Sequence, residues 1–326
     1  MLTDVDLLII GAGPTGLFAA YYAGFRDLST AIVDSLPEPG GQVTAMYPEK
    51  QIFDVAGFPA VKGRDLVAAL VEQAGQWKPT YLLGRKASTL TAVDPSGFDV
   101  GLGDGTSVRA GAVLITAGMG EFTPRPLPAG DGWLSRGMVH FVPELAVYRD
   151  KHVVVVGGGD SAFDWALALH PIAASVKLVH RRAKFRAHPP TVRQVEELGV
   201  PIITDAEVTE LRGEPTVQEV EIKVKGQDPT IHKADVVVAA LGFVADLGPI
   251  ESWGLKIRKG DRAIEVDSTG KTAIERIYAA GDIAYYPGKV KLIATGFGEA
   301  ATAVNNIAVA LNPEAHLFPG HSSNEG

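Results

Sequence analysis

The sequence predicts an α/β fold made of two Rossmann-like, dinucleotide-binding domains, and three observations predict it. Two apolar runs, at 7–10 and 153–156, each end in a glycine cluster, GAGPTG at 11–16 and GGGDSA at 157–162. Each cluster leads into small and apolar residues at helical spacing, which is how a buried parallel strand feeding a helix reads. A second strand then follows each helix, at 30–33 and 175–179, so one strand–turn–helix unit occurs twice at a period too long for a solenoid.

Composition bounds the chemistry. With 326 residues the chain has room for two domains of roughly 150 residues each. It contains no cysteine, which excludes disulfides, thiolate zinc sites, cysteine nucleophiles, iron–sulfur ligation and a dithiol relay. The formal charge of −8 argues against a sequence-independent grip on nucleic acid. No apolar run approaches the ~20 residues that cross a bilayer, and Asp4 and Asp6 stand where a signal peptide would be basic, so no membrane partner and a cytoplasmic location are expected. The 8 histidines show no HExxH spacing, and there is no GxSxG or SxxK pattern, so neither a metal site nor nucleophilic catalysis is expected. The 37 glycines exceed the usual share of about 7%, and their placement carries most of the information.

Taken in order, strand 6–10 enters the first turn and helix 17–23 leaves it. Gly11 permits the tight turn, Gly13 lets backbone approach a pyrophosphate, and Gly16 lets helix pack on strand, while the helix N-terminus offers free N–H groups. Strand 30–33 ends in Asp34, where a carboxylate accepts hydrogen bonds from ribose hydroxyls. The Gly- and Pro-rich stretch 37–59 reads as loop, 63–77 as helix, and Ser96-Gly97 and Asp104-Gly105 as hairpin turns. Two further apolar strands, at 113–117 and 236–241, end in Gly118 and Gly242. They are expected to be the crossings between a discontinuous first domain, 1–118 plus 244–326, and an inserted second domain, 119–243.

In that second domain Gly157 and Gly159 repeat the turn, Asp160 and Ser161 open the helix, and Ala162 replaces the third glycine, a known variant. Its second strand ends without an acid, in His180, Arg181 and Arg182, with Lys184 and Arg186 close behind. Guanidinium forks match phosphate geometry, so this cluster favours the 2′-phosphate of NADP(H) over NAD(H). The different strand ends suggest FAD held in the first domain and NADPH visiting the second. Strand 276–279 then leads to Ala280-Gly281-Asp282, where Asp282 is placed to hold a flavin ribityl hydroxyl, and helix 299–311 follows. The polar tail 312–326 reads as a frayed terminus.

The ordered set GAGPTG, Gly40-Gly41-Gln42, VVVVGGGDSA, HRRAKFR and AGD resembles the thioredoxin reductase branch of two-dinucleotide-domain flavoproteins. The stretch corresponding to that branch's CxxC pair, VHFVPE at 139–144, holds no sulfur. With YPEK at 47–50, DVAGFP at 54–59, GFGEA at 296–300 and PGHSS at 319–323, the chain is similar over nearly its whole length to the thioredoxin-reductase-like ferredoxin–NADP reductases. That resemblance implies that Asp34 holds the adenosine ribose, that Gln42 sits by the flavin, and that Asp282 binds the ribityl or pyrophosphate region. It implies that Tyr47 stacks on one flavin face and that Thr15, the Ala87 backbone and Phe122 make weaker FAD contacts. His321 and Ser323 would cover the other face, in the partner subunit of a homodimer. From the residues alone, Tyr47 reads as a loop aromatic on a core edge and His321 as a tail residue.

The activity implied is hydride transfer from NADPH to flavin N5, then single electrons to ferredoxin or flavodoxin, with no catalytic acid or base. Tyr47 and His321 would gate the ring, and rotation at the Gly118 and Gly242 crossings would bring the nicotinamide up. An acidic carrier would need local cations on a chain of net charge −8. Quinone or oxygen as acceptor, or a non-catalytic NADP(H) redox sensor, would leave nearly the same motifs.

Overall fold

The computed structural model describes residues 3–93 and 97–321. The chain divides into two units: Met1–Ala45, Gln51–Glu121 and Ala245–Gly326 form the first, and Met46–Lys50 with Phe122–Val244 the second.

The first unit is built on a seven-stranded sheet. Thr80–Leu83, Thr30–Asp34, Thr3–Ile10, Ser107–Ile115 and Ile277–Ala279 lie side by side in parallel. The strands Gly97–Leu102 and Ala87–Val93 extend the sheet antiparallel beyond Ser107–Ile115. The apolar run at 7–10 is continuous because both faces are covered. Leu8 and Ile10 point into a core shared with Val113, Ile115 and Trp253, whereas Leu7 and Ile9 meet Ala19, Ala20 and Ala23 of one helix and Ala300, Ala303 and Ile307 of another. Alanines at these contacts let the helices Pro14–Phe25 and Ile293–Leu311 lie close to the sheet. The hairpin expected at Asp104-Gly105 joins two paired strands, while Ser96 lies outside the described residues.

In the second unit, five parallel strands run in the order Met138–Val139, Val236–Ala239, His152–Val156, Ser175–Val179, Ile202–Ile203. Val153 and Val155 face the helix Asp160–Leu169 through Phe163 and Trp165. Val154 and Val156 face a three-stranded antiparallel sheet through Val208, Val220 and Ile222. In both units the glycine turn follows a central strand, at the carboxyl edge of the sheet, where dinucleotides bind in such folds.

Three expectations about local structure change. The stretch 37–59 is not all loop: it holds the short helix Gln42–Met46, and the strand Gln51–Ile52 pairs with Val61–Lys62. The last helix starts at Ile293 rather than at Glu299, because Gly296 is helical. The tail is not simply frayed on leaving the last helix. Arg26 donates to the carbonyls of His316 (2.8 Å) and Leu317 (3.0 Å), which fixes that stretch without regular structure. Among the described residues, no helix is long and apolar enough to cross a membrane.

Candidate functional site: two glycine turns with different partners

In the first turn the three glycines separate by what surrounds them. Gly11 has φ +113°, and a Cβ there would lie 2.5 Å from the Thr116 carbonyl oxygen; one on Gly16 would lie 1.9 Å from the Gly11 oxygen. Both glycines are therefore required by the protein's own packing. Gly13 differs: a Cβ on it would meet nothing within 4 Å. The open side of the turn is at Gly13, the position expected to face a pyrophosphate, and no side chain caps the helix that starts there. Those free N–H groups suit an anion.

Asp34 closes the same turn from the end of its strand. Its Oδ2 accepts the Ala12 N–H at 2.7 Å and its Oδ1 the Leu36 N–H at 2.8 Å. Burial pushes this carboxyl above its ordinary range, and the Leu36 and Ala12 N–H groups partly offset that. The hydrogen bonds orient a half-buried acceptor beside Gly13, which is what a ribose diol needs.

The other residues expected at FAD fall into two groups. Thr15 is wedged against Gly281 and Gly296, whose added Cβ atoms would come within 2.9 and 2.3 Å of its hydroxyl. The turn carrying Asp282 thus meets the first turns of two helices in the first unit. The Gln42 amide lies over Gly118, 3.4 Å from where a Cβ would be. Ala87 is buried at the start of its strand. Tyr47 and Phe122, by contrast, fall in the second unit. Tyr47 packs against that unit's hydrophobic core, and Phe122 stands edge-on to Phe243 at 5.7 Å. His321 is exposed and edge-on to Phe318 at 5.2 Å. Ser323 lies outside the described residues.

The second turn repeats the logic with other neighbours. A Cβ on Gly157 would lie 2.3 Å from the Ala240 carbonyl oxygen and 3.0 Å from Ala162, so the third position just accepts alanine. Gly159 is open, with nothing within 4 Å. The His180 ring lies on Gly158, 2.3 Å from where that residue's Cβ would be. The Arg186 N–H donates to the Gly158 carbonyl at 2.7 Å, which draws the basic loop over the turn. Burial is the main cause that lowers the His180 pKa, a hydrogen bond to the Lys184 backbone opposes it, and Arg181, Arg182 and Arg186 lower it further. Together these causes favour the neutral imidazole, and the guanidinium charge of this loop comes from the three arginines. All three are exposed, and none has a carboxylate partner among the described residues. Asp160 is engaged by the protein itself, its Oδ1 accepting the His188 N–H at 2.8 Å, and Ser161 is exposed beside it.

Sequence reasoning missed several residues here. Thr116 donates its hydroxyl to the Gly11 carbonyl at 2.8 Å and holds the first turn in place. Glu299, Tyr286 and Lys289 form a hydrogen-bonded cluster behind Gly281. Only Glu299 lay in a stretch with any signal, GFGEA, and nothing in that stretch assigned it a role.

Comparison with known proteins agrees with this geometry. Residues 5–306 match the model of the pyridine nucleotide-disulphide oxidoreductase family. The chain is 70% identical over 324 residues to the ferredoxin–NADP reductase of Saccharopolyspora erythraea, covering 99% of this chain and 98% of that one. It is 64% identical to the ferredoxin–NADP reductase of a Nocardioides species, covering 98% and 97%. Among solved structures, thioredoxin reductase from T. acidophilum superposes with a TM-score of 0.78 at 25% identity, covering 94% of this chain and 98% of that one. The chain therefore belongs to the pyridine nucleotide-disulphide oxidoreductases and, within that family, to the thioredoxin-reductase-like ferredoxin–NADP reductases.

Proposed function

We propose that this chain is an FAD-dependent oxidoreductase that carries electrons between NADPH and ferredoxin. One observation carries the reading: a single cysteine-free chain holds two glycine turns, one closed by a carboxylate and the other by arginines. The first-unit residues fit FAD. Gly13 leaves its flank open for the pyrophosphate, Asp34 would accept from the ribose, and Thr15, Gln42 and Asp282 are assigned to the flavin portion. Arg181, Arg182 and Arg186 fit the NADPH 2′-phosphate, with Gly159 open to its pyrophosphate. When bound, FAD supplies the chemistry, taking a hydride from NADPH and releasing the electrons singly. The protein binds and orients both nucleotides and needs no proton donor of its own for that transfer. Without cysteine the electrons have no internal disulfide to reduce, so they leave to an external carrier.

The domain reading stays with this proposal: FAD on 1–118 plus 244–326, NADPH on 119–243. So do Tyr47, Phe122, His321 and Ser323 as flavin contacts and a homodimer, which exposed apolar side chains on the first unit, Phe53, Phe58, Leu317 and Phe318, support. Sedimentation of the holoenzyme as a monomer would remove the dimer. A cytoplasmic location belongs to the same reading, because cosubstrate and carrier must share the enzyme's compartment; cell fractionation checks it.

Steady-state NADPH oxidation with ferredoxin, followed by cytochrome c reduction, tests the function. A rate that saturates with ferredoxin supports it. A yellow protein that reduces quinone or oxygen but not ferredoxin would remove the carrier assignment, and a colourless one that binds NADPH would make it a sensor.

A further inference from the structure

Behind the Gly281–Asp282 turn lies a cluster of charges that the reaction as described does not use. Glu299, in the second turn of the helix Ile293–Leu311, reaches back with both carboxylate oxygens. Its Oε2 accepts the Gly281 N–H at 2.8 Å. Its Oε1 accepts the Tyr286 hydroxyl at 2.7 Å and also pairs with the Lys289 ammonium. Only 3% of the Lys289 side chain and 12% of the Glu299 side chain are exposed. Desolvating both ions is costly, and well-packed apolar residues could replace such a pair without loss of stability. An apolar replacement could not, however, hold the Gly281 N–H or set the charge at this place.

The position gives the pair its meaning. Gly281 precedes Asp282, and its turn and Gly296 of the helix both rest on Thr15 of the first glycine turn. Burial pushes the Asp282 carboxyl up, the ammonium groups of Lys291 and Lys289 pull it down, and Glu299 adds to the rise. The pair thus lies within electrostatic reach of Asp282. It sums to zero charge only while both partners are present.

We propose that Glu299 is a positioning residue for the flavin: with Tyr286 and Lys289 it clamps the Asp282 turn to the last helix and, paired with Lys289, keeps that side of the site electrically neutral. This rests on the reading that FAD occupies the first unit. The reduced cofactor carries more negative charge than the oxidised one, so an unbalanced charge here must change the ratio of the two affinities. Its sign depends on which partner is removed.

The experiment is the FAD midpoint potential of holoenzyme variants, measured at several pH values, with the melting of each apoprotein recorded beside it. Glu299→Gln leaves the ammonium unbalanced and is expected to raise the potential. Lys289→Met leaves the carboxylate unbalanced and is expected to lower it. Each shift should reach about tenfold in the affinity ratio, which is roughly 30 mV for a two-electron couple. The double variant should return to within about threefold of wild type, and Tyr286→Phe, which keeps both charges, should stay there too. If Glu299→Gln does not fold, Lys289→Met against the double variant gives the same comparison. Shifts of one sign in both single variants, or none at any pH, overturn the proposal and leave the cluster a structural tie. Failure of the underlying reading is distinguishable, since the wild-type protein would then take up no FAD.

Discussion

His180 stands where the first unit has Asp34, with Arg181 and Arg182 next in the chain, and on the proposed reading this exchange of an acid for a basic run selects the nucleotide that each turn takes. A charge-assisted hydrogen bond is worth about 1.5–3 kcal/mol, and 1.4 kcal/mol is tenfold in affinity. The double variant Arg181→Ala with Arg182→Ala is therefore expected to raise the KM for NADPH roughly tenfold or more and to leave that for NADH nearly unchanged. Equal effects on the two would refute the 2′-phosphate assignment. Tyr286 supplies a pH prediction. Its hydrogen bond to Glu299, then burial, pushes its pKa up to about 12, against 10.0 for the free side chain. A raised acid pKa favours the protonated native state, so this contribution is present below pH 10 and is lost as pH rises towards 12. Denaturant melts through that window should show wild type losing more stability than Tyr286→Phe.

At the scale of the turn, the glycines sort into those the fold needs and those the ligand needs. Gly16→Ala would press a Cβ against the Gly11 carbonyl and should cost about 1–3 kcal/mol or more, with loss of FAD. Gly13→Ala meets nothing in the protein, so the apoprotein melt should change by no more than about 1 kcal/mol while FAD affinity falls. A Gly13 variant that bound FAD normally would show that the pyrophosphate lies elsewhere. Calorimetry of apo and reconstituted proteins separates the cases. The strand–turn–helix elements were legible because LLII and VVVV running into glycine have one ready explanation, a strand buried on both faces. The early start of the last helix was not legible, because Gly296 reads as a loop residue until Thr15 is seen beneath it. Asp34 was placed by its spacing from the turn, but its backbone partners Ala12 and Leu36 and the propping by Thr116 come from tertiary approach alone. The Glu299 cluster joins residues whose pairing no local pattern announces. Tyr47 shows the reverse: a plain reading of the residue, an aromatic on a core edge, matches its packing against the second unit's core.

For the whole molecule, the missing cysteines remove an internal dithiol as an exit for electrons. Solved structures of this fold include a thioredoxin reductase, yet this chain holds no cysteine at all. Electrons that enter from NADPH must leave to something outside the chain. Anaerobic titration of the purified holoenzyme tests this most directly. NADPH should bleach the flavin absorbance at lower concentration than NADH does, and oxidised ferredoxin should then restore it, while a disulfide substrate should not. Absorbance restored by a disulfide, or left bleached by ferredoxin, would contradict the account.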